Sequence, residues 1–183
     1  MKVKEIVVAA AKALGIEKGI SDYLSGVDAT MEREEKLLEN CFNLVECGLA
    51  LDYLPLYAED TLRTTTERLE YSSFTYPPVR VLSVTDLKGN PVAYTVYSKY
   101  LKVTPGTLRV VYTYTPVAKE AEDESDFGIL ASKHLLVYGV LAEYCLAEGR
   151  MEEAAEWDKK YKAAIKSAYH ERPCQRLSSR RWV

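Results

Sequence analysis

The chain has 183 residues, 48% of them hydrophobic and 28% charged, with a formal net charge of -3. A chain of this length buries an ordinary core as one domain, or as one domain with an inserted lobe, which excludes intrinsic disorder. The acidic balance excludes a body that grips nucleic acid over its whole surface, while leaving room for a local basic segment.

No charged lead precedes an apolar run with a small-residue cleavage site, and no stretch approaches the length that crosses a bilayer, so an intracellular protein with no membrane partner is expected. Four cysteines, Cys41, Cys47, Cys145 and Cys174, lack the close paired spacing of a zinc or redox motif. They read as reduced packing residues, and neither a metal nor a cofactor is expected.

In chain order, Val3, Ile6, Val7, Ala10 and Leu14 recur at helical spacing and predict a first helix ending at Gly15. Glu17 to Leu24 predicts a second, stopped by Ser25-Gly26. Asp28 or Thr30 is placed to cap a third, with Glu32, Glu34 and Glu35 in its first turns, where the helix dipole favours acids. Leu38, Cys41, Phe42, Val45 and Leu49 form its apolar stripe and Pro55 closes it.

From Leu56 to Val117 the period changes from 3.6 to 2. Val79 to Thr85 and Ala93 to Tyr97, joined by Lys88-Gly89-Asn90-Pro91, predict a hairpin. Tyr100 to Val103 is a further strand, Thr104 to Thr107 a turn, and Leu108 to Thr115 a strand alternating Leu108, Val110, Tyr112 and Tyr114 against Arg109, Val111, Thr113 and Thr115. Thr61 to Thr66 and Arg68 to Tyr71 predict a polar edge hairpin. The whole stretch reads as one antiparallel meander inserted between helices.

Glu120-Ala121-Glu122-Asp123-Glu124-Ser125-Asp126 places five acids in seven positions. The simplest reading is a solvated connection in which Ser125 or Asp126 caps the next helix; the functional reading is a negative loop facing a channel or a basic partner. A calcium loop would need a glycine and spaced ligands that the run lacks.

Ile129 to Glu148 then predicts a helix buried along one side by Leu130, Val137, Leu141 and Tyr144, widened by Ile129, Tyr138 and Cys145. Met151 to Tyr169 repeats the pattern with Ala154, Trp157, Tyr161, Ile165 and Ala168. Only Gly149-Arg150 separates the two, so an antiparallel helical hairpin is expected. From Glu171 the chain carries four arginines and one acid without helical or strand period. The expected fold class is therefore α+β, mainly a helical bundle over 1–170 with a small antiparallel β insertion at about 56–117 and an extended basic arm at 171–183.

Chemistry is scarce in this sequence. His134 and His170 stand in no metal-ligand spacing and beside no nucleophile motif, and His134 reads as a core-edge histidine. No glycine-rich phosphate loop follows a strand, and Glu34-Glu35 and Glu152-Glu153 belong to charged helix faces. No active site is found and an enzyme is not expected. The 14 tyrosines are more informative, since Tyr buries apolar area while keeping a hydroxyl that tolerates water, which suits surfaces covered by a partner. Tyr71, Tyr76, Tyr94, Tyr97, Tyr100, Tyr112 and Tyr114 all fall in the β insertion.

The layout resembles the head-to-tail connector, or adaptor, proteins of tailed bacteriophages and prophages. The residues that carry the resemblance are Leu51-Asp52-Tyr53-Leu54-Pro55-Leu56, Val79 to Asp86 through Gly89-Asn90, Lys102-Val103-Thr104-Pro105-Gly106, Tyr138 to Cys145, Glu152 to Tyr161, and Ser178-Ser179-Arg180-Arg181-Trp182-Val183. The resemblance implies a structural virion protein of the neck, assembled in the bacterial host cytoplasm, that forms a ring on the order of twelve copies beneath the portal. Such a ring extends the DNA channel and docks the next neck, stopper or tail component, while DNA passes without specific binding.

On that reading Arg172, Arg176, Leu177, Arg180, Arg181, Trp182 and Val183 bind the portal, the arginines pairing carboxylates and Trp182 acting as an anchor. Tyr94, Tyr97, Tyr100, Tyr112 and Tyr114 contact a neighbouring subunit or neck protein. Glu120, Glu122, Asp123 and Glu124 face the channel, where acids keep phosphates from sticking. The alternatives are another neck or tail-completion protein, or a DNA-binding regulatory module; the acidic body and the lack of a basic recognition helix weigh against the latter.

Overall fold

The computed structural model describes residues 1–27 and 29–170. The elements run α1 (Val3–Leu14), α2 (Glu17–Leu24), α3 (Glu32–Gly48), β1 (Leu56–Thr64), β2 (Arg68–Glu70), β3 (Pro78–Asp86), β4 (Tyr94–Val96), β5 (Tyr100–Val103), β6 (Gly106–Tyr114), α4 (Lys133–Ala147) and α5 (Met151–His170). At 47% helix and 24% strand this is a mixed α+β chain, which overturns the expected helical bundle. It divides into two compact units, one of Met1–Val45 with Lys119–Val183 and one of Glu46–Ala118.

The helical unit is built around α4. The sequence reading gave this helix one buried side, but Leu135, Leu136, Val137, Val140, Leu141, Ala142, Tyr144 and Cys145 are all buried, so it is enclosed nearly all round. α1 and α5 both pack against it, and α3 reaches it at Gly139. A Cβ there would lie 2.7 Å from Val45 Cγ1 and 2.9 Å from Tyr161 Cε2, so only a residue without one lets α3, α4 and α5 approach this closely. Gly149 takes φ 74° after α4 and turns the chain into α5, which makes the expected hairpin.

α4 starts later than its apolar pattern suggests. The cap is Ser132, whose Oγ accepts a hydrogen bond from Leu135 N at 3.3 Å, and neither Ser125 nor Asp126. Ser125 Oγ instead accepts from Phe127 N at 3.1 Å, and fully buried Phe127 anchors the turn. Ala131 N donates to Phe127 O at 2.9 Å, which leaves Ile129 and Leu130 outside the helix and exposed. His134 is also exposed, in the first turn of α4 with its ring 6.1 Å from that of Tyr138, so it is not a core-edge residue.

The single meander expected for the β region is replaced by two three-stranded antiparallel sheets, ordered β1-β6-β3 and β2-β5-β4. β6 is the centre of the first. It pairs with β1 over nine unbroken positions from Leu56↔Tyr114 to Thr64↔Gly106, and with β3 through register shifts at Pro78/Arg80 and Val81/Ser83. The turn at Lys88–Asn90 forms as expected: Asp86 Oδ1 accepts from Lys88 N and Asn90 N, each at 2.8 Å, and Gly89 has φ 85°. The strands it joins then part, β3 to β6 and β4 to β5. The proposed edge hairpin separates in the same way, because β1 joins one sheet and β2 the other. A shared core of Leu69, Phe74, Val84, Leu101, Val103, Leu108, Val110 and Tyr112 draws on both sheets.

Candidate functional site

The described residues present several candidate surfaces. Among the described residues, no group of three or more His, Cys, Asp or Glu side chains is arranged to hold a metal ion, and no helix is long and apolar enough to cross a membrane. Cys41 and Cys145 are buried and Cys47 half-buried; burial pushes the Cys41 thiol up to about 11 and raises the other two, which keeps all three protonated near neutrality. Cys174 lies outside the described residues.

The tyrosines of the β unit sort by strand geometry. Tyr112, at the middle of β6, faces the core and has no exposed surface. Its hydroxyl donates to Asp60 Oδ2 at 2.7 Å and accepts from Tyr76 N at 3.2 Å. Asp60 also accepts from Thr75 N and Thr75 Oγ1, both at 2.8 Å, so one carboxylate ties the Tyr71–Tyr76 segment to β1 and β6. Burial pushes the Asp60 carboxyl up, but these hydrogen bonds outweigh it and hold it below the ordinary aspartate range. Neither the role of Asp60 nor that of Thr75 is visible in a strand pattern.

Tyr97 is 45% exposed and stacks on half-buried Tyr100 with ring centroids 4.9 Å apart. Tyr76 stacks on half-buried Tyr114 at 4.3 Å, and half-buried Tyr94 reaches Val81 O at 3.4 Å. Sequence reasoning missed the aliphatic part of this surface, exposed Val79, Leu82, Leu87 and Val96 together with Tyr57. Val79 and Val96 border a groove of about 260 Å³ whose other walls are Tyr71, Pro78, Arg80 and Val81. Both lie on edge strands, β3 of one sheet and β4 of the other, and Tyr71 closes the groove from beside them by donating its hydroxyl to Tyr97 O at 2.7 Å.

The acidic run is held against the start of α1. Val3 N donates to Asp123 O at 3.0 Å and Lys4 N to Ala121 O at 2.9 Å, which satisfies two of the amide groups that open a helix unpaired. Ser125 N returns a bond to Met1 O at 2.9 Å. Glu122 accepts from Lys2 at 2.8 Å and Lys4 at 2.7 Å, hydrogen bonds that bring its carboxyl down to about 2. Asp123 Oδ2 accepts from Glu120 N at 2.9 Å, closing a turn. Glu120, Glu122, Asp123 and Glu124 are all exposed. Lys119 is fixed by Asn43, which exchanges two hydrogen bonds with its backbone at 3.0 and 2.8 Å, and its ammonium meets Asp126 at 3.1 Å.

The residues assigned to portal binding, Arg172, Arg176, Leu177, Arg180, Arg181, Trp182 and Val183, lie outside the described residues. What is described defines an α+β chain of two units whose β unit presents a tyrosine-bearing and aliphatic surface. No protein-family model and no curated protein matches the sequence.

Proposed function

We propose that this chain is a head-to-tail connector of a tailed bacteriophage or prophage, a structural protein that forms a ring beneath the portal, extends the DNA channel and docks the next neck or tail component. The observation that carries the reading is a β unit inserted between α3 and α4 that leaves Tyr57, Val79, Leu82, Leu87, Val96 and Tyr97 exposed. So much open apolar surface on a small unit fits a protein that is completed by neighbours. The order of parts, helices then β insertion then helical hairpin then a basic arm, supports the same reading. Heterologous contacts between copies close into a ring when the rotation per subunit divides the circle.

In such a ring the acids Glu120, Asp123 and Glu124 carry the negative charge toward passing DNA, since the charge of Glu122 is offset by Lys2 and Lys4. The arm from Arg172 to Val183 meets the portal. The test is mass in solution with and without a phage portal protein, followed by imaging of any complex. A ring alone or on the portal is expected, and deletion of Pro173 to Val183 should abolish portal binding while leaving the far-ultraviolet spectrum of the body intact. A stable dimer that ignores the portal and binds duplex DNA at moderate salt would overturn the proposal.

A further inference from the structure

The two outer strands of the β1-β6-β3 sheet begin at the same level, because Leu56 and Pro78 are both registered on Tyr114 at the end of β6. About 10 Å of sheet separates these two corners. Each is apolar, and each carries one charge, of opposite sign.

The β3 corner is shaped by its register shifts. They skip Val79 and Leu82, which have no partner on β6, and a residue left out of the ladder in this way is re-aimed by the local bend. Both are exposed, Val79 over 51% of its surface, so the bulges turn aliphatic side chains away from the core of their own unit. Arg80 stands between them, exposed and paired with Thr113, on the face opposite Leu108, Val110 and Tyr112. Exposed Val96 borders the same groove from β4.

The β1 corner is entered through a single π-helical turn, Leu49–Tyr53, held in place by buried Leu49, Ala50 and Leu54. That anchoring leaves Leu51 53% exposed, with exposed Asp52 beside it. Exposed Tyr57 follows on β1 and is registered on Thr113, the row that also holds Arg80. Further along this face β1 becomes charged, with Glu59 and Arg63, so its apolar part is confined to the corner level with Val79. Among the described residues neither Asp52 nor Arg80 makes an ion pair.

Like corners cannot meet well, since Arg80 would face Arg80 or Asp52 would face Asp52. Unlike corners set Asp52 against Arg80 and apolar side chains against each other. Because the corners lie on opposite edges of the sheet, one neighbour fills one and a second neighbour fills the other, which is a heterologous contact.

We propose that copies of this chain join in solution through these corners, Leu51, Asp52 and Tyr57 of one copy docking on Val79, Arg80 and Val96 of the next. Asp52 pairs with Arg80 across the contact. The proposal rests on the connector reading for closure of the series into a ring, and its test separates the two.

Full-length Asp52→Arg and Arg80→Asp are followed by sedimentation velocity over a concentration series, each alone and both mixed in equal amounts. Each variant alone opposes like charges and should weaken self-association about tenfold. In the mixture the two substituted positions meet each other and native Asp52 meets native Arg80, so alternating copies should recover the wild-type association. Val79→Ser, at the exposed bulge, is a charge-neutral check and should also weaken it. Wild-type assemblies that none of these variants weakens overturn the contact and leave the ring reading standing, as does a loss that the mixture fails to restore. A wild type that stays monomeric at every concentration assigns the corners to a different partner and overturns the contact, while the mass measured with the portal decides the connector reading by itself.

Discussion

Gly139→Ala tests whether the helical unit is assembled as described. In an exposed helix this change stabilises by about 1 kcal/mol, because alanine is the better helix former. Here the added methyl would stand 2.7 and 3.0 Å from the two γ carbons of Val45 and 2.9 Å from the Tyr161 ring, where ordinary carbon contacts lie near 3.5–4.0 Å. None of these atoms is the free end of a flexible chain: Val45 is 4% exposed with one stiff torsion, and Tyr161 is half-buried in α5. Overpacking of this kind costs about 1–3 kcal/mol, so after the propensity gain of about 1 kcal/mol the expected net effect is a loss of up to about 2 kcal/mol, opposite in sign to the propensity term. Urea unfolding followed by circular dichroism at 222 nm, where the helices dominate, reads it as a lower midpoint at unchanged slope. In a double-mutant cycle, Val45→Ala should recover part of the loss, giving a coupling of about 1 kcal/mol. A midpoint that rises for Gly139→Ala, or strict additivity with Val45→Ala, would refute the close approach of α3, α4 and α5.

Four other outcomes are expected. Tyr112→Phe removes the hydroxyl that bridges Asp60 and Tyr76 N, and should cost about 1.5 kcal/mol in the denaturation midpoint of the β unit. The Asp60 carboxyl is held low in the folded state, so its contribution is present above the ordinary aspartate pKa and is lost as pH falls through the folded value. Acid titration of wild type against Asp60→Asn should therefore diverge in slope only below about pH 4. Glu122→Gln weakens the hold on Lys2 and Lys4 and should speed amide exchange at Val3 and Lys4 without moving the global midpoint; unchanged exchange would show that the backbone bonds alone fix the α1 start. Ser132→Ala deletes the α4 cap and should cost about 1 kcal/mol, whereas Asp126→Ala should leave the helix start untouched.

The parts of the fold legible in the sequence are those fixed by local rules. α1, α2 and the α4–α5 hairpin follow from apolar spacing and from glycines at positive φ, and β6 alternates as its residues suggest. Two errors have physical causes. Ile129 and Leu130 extend the α4 stripe in sequence, yet the Ser132 cap and the Phe127 anchor take the chain out of helical conformation before them. The division of the β region into two sheets was invisible because alternation records which face is buried and says nothing about which strand is the neighbour. Lys88–Asn90 forms its turn, but seven residues of β3 find nonlocal partners on β6 while the three of β4 go to β5. Of the five tyrosines read from the sequence as contact residues, Tyr112 is the core of the unit rather than part of its exterior, Tyr94, Tyr100 and Tyr114 are half-buried, and Tyr97 is exposed.

How a partner would meet the β unit follows from its edges. Each three-stranded sheet has two unpaired edges, and an open edge invites strand addition. β1 is guarded: Glu59, exposed on it, pairs with Arg109 across the sheet at 3.1 Å, and exposed Arg63 follows on the same face. β3 carries two register shifts within its first six residues, which break the regular row of backbone groups that an added strand needs, and Arg80 adds charge between them. β2 and β4 are three residues each, too short to template much pairing. The edges are therefore poor in backbone recognition, while the side chains along β3 and β4, Val79 and Val96 above all, are open and apolar. On the connector reading proposed above, a neighbour would be recognised here by filling the groove between those side chains and Tyr71, its register set by shape rather than by a ladder of main-chain hydrogen bonds.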